Sequence, residues 1–158
     1  MVLEFSNFII DIDVEKTRNF YTTACFVSDN CSCSGCRNFE KAVNFLPQEV
    51  ISFFMQLGID MKKVCEVYML DANTDNIALY GGFYHACGKI ISGESAWVQT
   101  DPTSFYFDED KTHSITNDFR VSFQERCDLL KKEFPLPAIQ LDISADIPWV
   151  LEEKNDFL

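Results

Sequence analysis

This sequence has no long apolar run and few basic residues for its number of acidic ones. No apolar stretch approaches the roughly 20 residues that a membrane span requires, and the stretch 50–55 is short and interrupted by Ser52. Lysine and arginine number 13 against 25 aspartates and glutamates, which gives a formal net charge of −12. A protein this acidic repels phosphate backbones and anionic lipid head groups. We therefore expect neither membrane insertion nor direct nucleic-acid binding.

The N-terminal residues 1–5 lack the basic start and the small-residue cleavage site of a secretory signal, so we expect a cytoplasmic protein. Seven cysteines make an odd number, and in a reducing compartment free thiols or metal ligands are more common than a disulfide framework. The sequence has only two histidines. That scarcity narrows the choices for cysteine–histidine chemistry.

The length and composition favour a folded chain with its own core. The 158 residues are 47% hydrophobic and include 15 phenylalanines, which is enough for one domain without help from disulfides or metal. There is no internal repeat, low-complexity tract or interdomain linker. We expect a single domain over residues 1–158.

Residue periodicity predicts helices early in the chain and strands later. After a strand at 5–12, we expect helices at 14–24, 36–46 and 47–57. Period-two patterns then predict strands at 66–70, 77–80, 83–91, 95–100, 103–107, 118–124 and 139–143, with a short helix at 125–133. This order indicates an α+β fold with a mainly antiparallel sheet, N-terminal helices and one short C-terminal helix.

The densest chemical feature is a cysteine cluster, in which Cys31, Cys33 and Cys36 fall within six positions. Zinc binds pairs of thiolates supplied by a tight turn, and a CxxC spacing with an intervening glycine suits such a turn. A closed site needs a fourth ligand, for which His85 is the best candidate, with Cys87, Cys25 and Cys65 behind it. The alternative is a set of reduced thiols around a loop and a helix start.

Two catalytic uses of the cluster remain open. Cys36 at a helix N-terminus beside Arg37 would have a lowered pKa and could serve a redox protein or enzyme, although a redox CxxC usually follows a strand in a βαβ unit. Cysteine–histidine hydrolysis would need a thiol to reach His85 or His113. We expect His113 to be a solvated loop residue, and a histidine such as His85 is more often a core or interface residue than a catalyst. A non-enzymatic protein is favoured.

The acidic pairs and the aromatic residues admit functional and structural interpretations. The carboxylates lack the regular spacing of a calcium loop, so solvated faces and helix caps explain them. The aromatic residues are typical of a core at strand spacing, or they line a ligand pocket: Tyr80, Phe83, Tyr84, Trp97, Phe105, Tyr106 and Phe107.

Five segments together resemble an uncharacterised family of small bacterial proteins, mostly from Firmicutes: DxEKTRxFY at 13–21, CxCxxCRNF at 31–39, LGID at 57–60, GFYH at 82–85 and PWVL at 148–151. The resemblance implies a bacterial cytoplasmic protein and supports the cysteine cluster as a unit, but it implies no activity. The helix start at Leu46 and Pro47 and the acidic charge are also similar to those of bacterial immunity proteins, which block a toxin partner. From the residues we predict a binding domain with a zinc site at Cys31, Cys33, Cys36 and His85. The residues do not identify the partner of this domain, and the class of partner considered is a protein.

Overall fold

A computed structural model describes residues 1–156. In that range three α-helices lie in the N-terminal third, α1 (Val14–Thr23), α2 (Ser34–Ala42) and α3 (Gln48–Leu57). The strands of the same range are β1 (Val2–Phe5), β2 (Phe8–Ile12), β3 (Glu66–Ala72), β4 (Ile77–Ser92), β5 (Trp97–Asp101), β6 (Ser104–Phe107), β7 (His113–Thr116), β8 (Phe119–Gln124) and β9 (Ala138–Pro148). The predicted α+β class is confirmed.

Seven of these strands form one antiparallel sheet. Its order is β1-β2-β4-β9-β8-β7, and β3 pairs with β4 outside that path. Strands β5 and β6 form a separate two-stranded hairpin. The 16-residue β4 lies at the centre because it pairs with β2, β3 and β9.

The three helices cover one face of this sheet. The Asp13 carboxylate caps α1 by accepting a hydrogen bond from the Lys16 amide at 3.0 Å, and Gly58 ends α3 in the left-handed region at φ 80°. Aromatic side chains join the two layers. Phe54 lies 5.0 Å from Tyr84 of β4, and Phe39 of α2 lies 5.5 Å from Tyr80, measured between ring centroids. These contacts form the main core.

The opposite face of the sheet carries a row of polar side chains. Cross-strand pairing sets Phe83 opposite Asp142 and His85 opposite Gln140, so these four side chains share a face. The β5–β6 hairpin and the segment 125–137 pack over this face. Just before the hairpin, the Ala96 amide donates a hydrogen bond to the Ser122 hydroxyl at 2.8 Å. In the segment 125–137, the Asp128 amide donates to the Gln140 side chain at 2.7 Å.

The helix predicted at 125–133 is wrong. No helix forms there in the described chain, because Leu129 adopts a left-handed backbone at φ 54° and the Asp128 amide bonds to a side chain instead of a helical carbonyl. The apolar residue Phe134 packs on Phe20 of α1 with ring centroids 4.5 Å apart. Its spacing from earlier apolar residues therefore reflects this single contact and not a helical stripe.

Three strand predictions differ in their boundaries. The single strand at 5–12 is a hairpin of β1 and β2, turned at Ser6 with φ 52°. The stretches 77–80 and 83–91 are one continuous strand through Gly81 and Gly82. Strand β7 was not predicted at all. Across residues 1–156, no helix is long and apolar enough to span a membrane.

Candidate metal centre

The start of helix α2 shapes the cysteine cluster. Cys33 is the N-cap residue, with an extended backbone, and its Sγ accepts a hydrogen bond from the Cys36 amide at 3.4 Å. The sulfur thus accepts the capping hydrogen bond that a side-chain oxygen accepts in most helices. Because the first helical turn carries residue 36 back over the cap, the two thiols of the CxxC motif lie on the same side of the turn.

The three sulfurs of the cluster converge. The Sγ atoms of Cys31 and Cys33 are 3.2 Å apart, and all three Sγ atoms lie within 4.8 Å of one another. Zinc–sulfur bonds of about 2.3 Å in a tetrahedral site place sulfurs roughly 3.8 Å apart. The observed separations start at 3.2 Å and do not exceed 4.8 Å, so the three thiols lie within metal-binding distance.

The turn that carries the thiols is fixed to the sheet through Tyr80. The Tyr80 hydroxyl donates to the carbonyl oxygen of Gly35 at 2.8 Å and accepts from the Asn38 side-chain amide at 3.2 Å. The buried Asn38 also accepts from the Val150 amide at 2.7 Å. These bonds tie the cluster to strand β4 and to the chain that follows β9.

The thiols differ in environment and in pKa. Burial raises the pKa of Cys36 strongly, and its Sγ points to the Val67 carbonyl oxygen at 3.9 Å. A hydrogen bond with Cys36 lowers the pKa of Cys31, with smaller contributions from Cys33. Cys31 is partly exposed and Cys33 is exposed. The cluster therefore has a buried end and an open end.

The lowered pKa predicted for Cys36 is wrong. The Arg37 guanidinium forms an ion pair with the exposed Glu153 carboxylate, so its charge is directed away from the thiol. Burial of the Cys36 side chain, which is 5% exposed, then decides the direction of the shift. The thiol most easily ionised by its neighbours is Cys31.

His85 is not brought to this cluster. The cysteines lie on the helix-bearing side of the sheet with Tyr80, whereas His85 alternates with the core residues Tyr84 and Ala86 and points to the opposite face. Its ring packs against those of Phe83 and Phe134, 5.7 and 5.8 Å away between centroids. Burial lowers the pKa of its imidazole, which is neutral at pH 7.

The other predicted ligands are also dispersed. Among residues 1–156, the group of potential ligand atoms around Cys31, Cys33 and Cys36 includes no further cysteine. Cys87 is buried on β4 beyond His85, Cys65 Sγ faces the Leu129 carbonyl oxygen at 3.8 Å, and Cys25 is exposed.

His113 is not the solvated loop residue that we predicted. It begins strand β7, and its ring lies between Phe5 and Phe53 at centroid distances of 5.4 and 5.7 Å. The Nδ1 atom is 2.7 Å from the Ser6 hydroxyl, and burial lowers the imidazole pKa. Both histidines thus pack among aromatic side chains. In the described chain neither is paired with a thiol of the cluster.

A groove of about 340 Å³ adjoins the three cysteines. Its other walls include Val67, Met69 and Asp156. Sequence reasoning missed Met69 and Asp156, since both are far from the cluster along the chain and neither belongs to a ligand motif. The groove leaves the sulfur cluster accessible on one side.

No protein-family model matches this chain, and no curated protein or solved structure is significantly similar to it. The likenesses described under Sequence analysis stay predictions. The function must be argued from the chemistry of the site itself.

Proposed function

We propose that this protein is a non-enzymatic binding domain that holds a zinc ion through the thiolates of Cys31, Cys33 and Cys36. The observation that carries the proposal is the convergence of three Sγ atoms within 4.8 Å at the start of one helix. Thiolate ligands select zinc or copper(I) over the hard cations calcium and magnesium. Zinc is the ion that the CxxC turn fits best.

The site has three protein ligands and an open position. His85 does not serve as the fourth ligand in this proposal, because it lies across the sheet from the thiols. The groove beside Asp156 would give water access to the fourth position. An open position makes the ion exchangeable, in contrast to a closed four-ligand structural site.

The ion orders the cluster locally and does not hold the whole fold together. The main core contains Phe8, Phe39, Phe54, Tyr84 and Phe123, and of the cluster only Cys36 lies within it, while Cys31 packs against it and Cys33 is exposed. Metal removal should therefore loosen the segment 31–36 and leave the sheet intact. Zinc-finger domains, which lack such a core, unfold completely without zinc.

Metal analysis of the purified protein tests the proposal. Zinc titration of the reduced protein should saturate at one ion per chain, and cobalt(II) should give thiolate charge-transfer absorption. The double variant Cys33→Ser/Cys36→Ser should lose both signals. Matched changes at thiols outside the cluster, Cys25→Ser and Cys65→Ser, should keep them, and His85→Ala should also keep them.

Two results would reject the proposal. One is wild-type protein that takes up no zinc or cobalt at stoichiometric level under reducing conditions. The other is undiminished binding by the Cys33→Ser/Cys36→Ser variant. Stoichiometric binding of copper(I) in preference to zinc would retain the thiolate site and change the ion.

The 3.2 Å separation of the Cys31 and Cys33 sulfurs favours one second candidate, a redox-active dithiol. In this reaction the Cys31 thiolate attacks a disulfide of another protein and displaces one of its sulfurs as a thiolate. Cys33, once deprotonated, then attacks Cys31 in the mixed disulfide and releases the second thiolate. The substrate gains two electrons, and a Cys31–Cys33 disulfide forms. Mass spectrometry after treatment with oxidised glutathione would detect that bond, and its absence would exclude this candidate.

A further inference from the structure

A second cavity lies on the opposite face of the sheet from the thiols. It has a volume of about 320 Å³ between the β5–β6 hairpin and strands β3, β4, β8 and β9. Pockets that hold small molecules begin at about 300 Å³. The cavity is large enough for a compact organic molecule.

The floor of this cavity carries a buried carboxylate. Asp142 is 2% exposed, and its two oxygens accept hydrogen bonds from Gln124 Nε2 at 2.7 Å and Gln140 Nε2 at 2.8 Å. Burial raises the pKa of Asp142 to about 6, although the two amides and the Trp97 side chain favour the charged form. The carboxylate is therefore ionised at pH 7. The two carboxylate oxygens have four lone pairs between them, and Gln124, Gln140 and Trp97 use three, so the carboxylate can accept one more hydrogen bond.

Asp142 has no cationic partner of its own among the contacts of the described chain. The arginine in the cavity wall, Arg126, pairs through its Nε with Asp128 at 3.1 Å. Glu66 and Asp128 add two further carboxylates to the wall, and His85, which shares this face of the sheet, is neutral at pH 7. A buried anion without a countercharge reduces stability, and such groups are common at functional sites.

Aromatic side chains form the rest of the wall. Trp97 and Phe105 come from the β5–β6 hairpin, while Tyr68 and Phe83 come from the sheet. Gly81 makes room for the Tyr68 ring, since a Cβ at that position would lie 2.5 Å from it. The faces of aromatic rings attract organic cations, and tryptophan does so best. The sequence had left Phe83, Trp97 and Phe105 open as pocket or core residues, and the structure places all three at the cavity.

We propose that this cavity binds a small organic cation with a guanidinium or ammonium head group on a short alkyl stem. The head group donates a hydrogen bond to Asp142 and supplies the positive charge that balances this carboxylate. The stem and the flat side of the head group pack against Trp97 and Phe105. This site is independent of the cysteines, which lie on the other face of the sheet.

Calorimetric titration with butylguanidinium and butylammonium tests the inference, with the neutral butylurea as the comparison. At pH 7.5 we expect saturable binding of at least one of the two cations and at least tenfold weaker binding of the urea. Asp142→Asn should weaken cation binding at least tenfold. Asp75→Asn removes the same charge from the exposed β3–β4 turn and should leave the affinity unchanged.

A second variant and a spectroscopic signal separate the cavity from general charge effects. Trp97→Leu should weaken cation binding at least fivefold, and the indole N–H resonance of Trp97 should shift on titration of the wild type. Equal affinity for butylurea, no binding of either cation, or unchanged binding by the Asp142→Asn variant would each overturn the inference. The Cys33→Ser/Cys36→Ser variant should bind the cation normally, so failure of the zinc site is distinguishable from failure of this one.

Discussion

The Tyr80 hydroxyl donates a 2.8 Å hydrogen bond to the carbonyl oxygen of Gly35, inside the turn that carries the three thiols. Through this bond, strand β4 fixes the position of the start of helix α2. This contact predicts that the geometry of the metal site depends on a residue that does not bind the ion, as is usual for the groups that surround metal ligands.

Tyr80→Phe removes this contact and leaves the ring. We expect a loss of about 1 kcal/mol in the free energy of unfolding, measured by urea denaturation. We also expect about tenfold weaker zinc binding, measured by competition with a chelator. Tyr84→Phe is the matched control, because its buried hydroxyl donates to the Met61 carbonyl oxygen at 2.7 Å, away from the thiols. An equal loss of zinc affinity in both variants would contradict the role given to Tyr80.

Zinc affinity should rise with pH. The raised pKa of Cys36 means that this thiol is protonated at pH 7 and must release its proton to bind the ion. Competition between proton and zinc at one thiol changes the apparent affinity about tenfold per pH unit below the thiol pKa. Titrations at pH 6.5 and 7.5 in buffers of different ionisation enthalpy measure both the affinity and the number of protons released. Affinity that is independent of pH would show that Cys36 is not a ligand.

Alkylation should distinguish the three thiols of the cluster, and Cys36 should not be the reactive one that its position at a helix start had predicted. The metal-free protein should react with iodoacetamide first at Cys31, whose pKa is lowered, and last at Cys36, which is buried and has a raised pKa. Mass spectrometry of peptides from timed samples between pH 6 and 8 gives the rate at each position. Faster labelling of Cys36 than of Cys31 would contradict the structure.

The free energy of unfolding should depend on pH through the titration of Asp142. The folded state holds a proton on this carboxyl up to about pH 6, while the unfolded state releases it near 3.8, the ordinary pKa of an aspartate. The resulting stabilisation is complete below pH 3.8 and is lost as the pH rises through 6, which amounts to about 3 kcal/mol. The groups around Asp142 are Glu66, Tyr68, Arg126, Asp128 and the neutral His85.

Comparison with Asp142→Asn isolates this effect from the other carboxylates. The free energy of unfolding of the variant minus that of the wild type should increase by about 2.4 kcal/mol between pH 4 and 7.5. Urea denaturation at four pH values measures it. A difference that stays constant across this range would mean that the carboxyl titrates alike in the folded and unfolded states.

Local sequence signals predicted the fold class and the helical part of the chain. The cap at Asp13, the apolar stripe ending at Leu57 and the stop at Gly58 act within one or two turns, so short windows of sequence contain them. The helix predicted at 125–133 failed because Asp128 and Phe134 are fixed by Gln140 and Phe20, which are distant in the chain. Contacts of that kind leave no periodic pattern.

In the candidate metal site, too, the features set by local sequence were predicted and those set by distant contacts were not. The convergence of Cys31, Cys33 and Cys36 follows from a loop and one helical turn, and the motif spacing predicted it. The position of His85 depends on which face of β4 meets the helices, and the pKa of Cys36 depends on burial against Val67. Asp142 was not predicted as a functional residue, since the position of its partner Gln124 is set by the register of strand β8 against β9.

The central strand β4 has neighbours along both edges from Ala78 to Phe83, with β3 on one side and β9 on the other. Backbone amides in such a position exchange with deuterium only when a large part of the molecule opens. The exchange rates of these amides therefore report global unfolding of the protein. Faster exchange at Cys36 than at Tyr80 would report motion of the thiol turn alone, and its slowing on addition of zinc would measure how firmly the ion closes that turn.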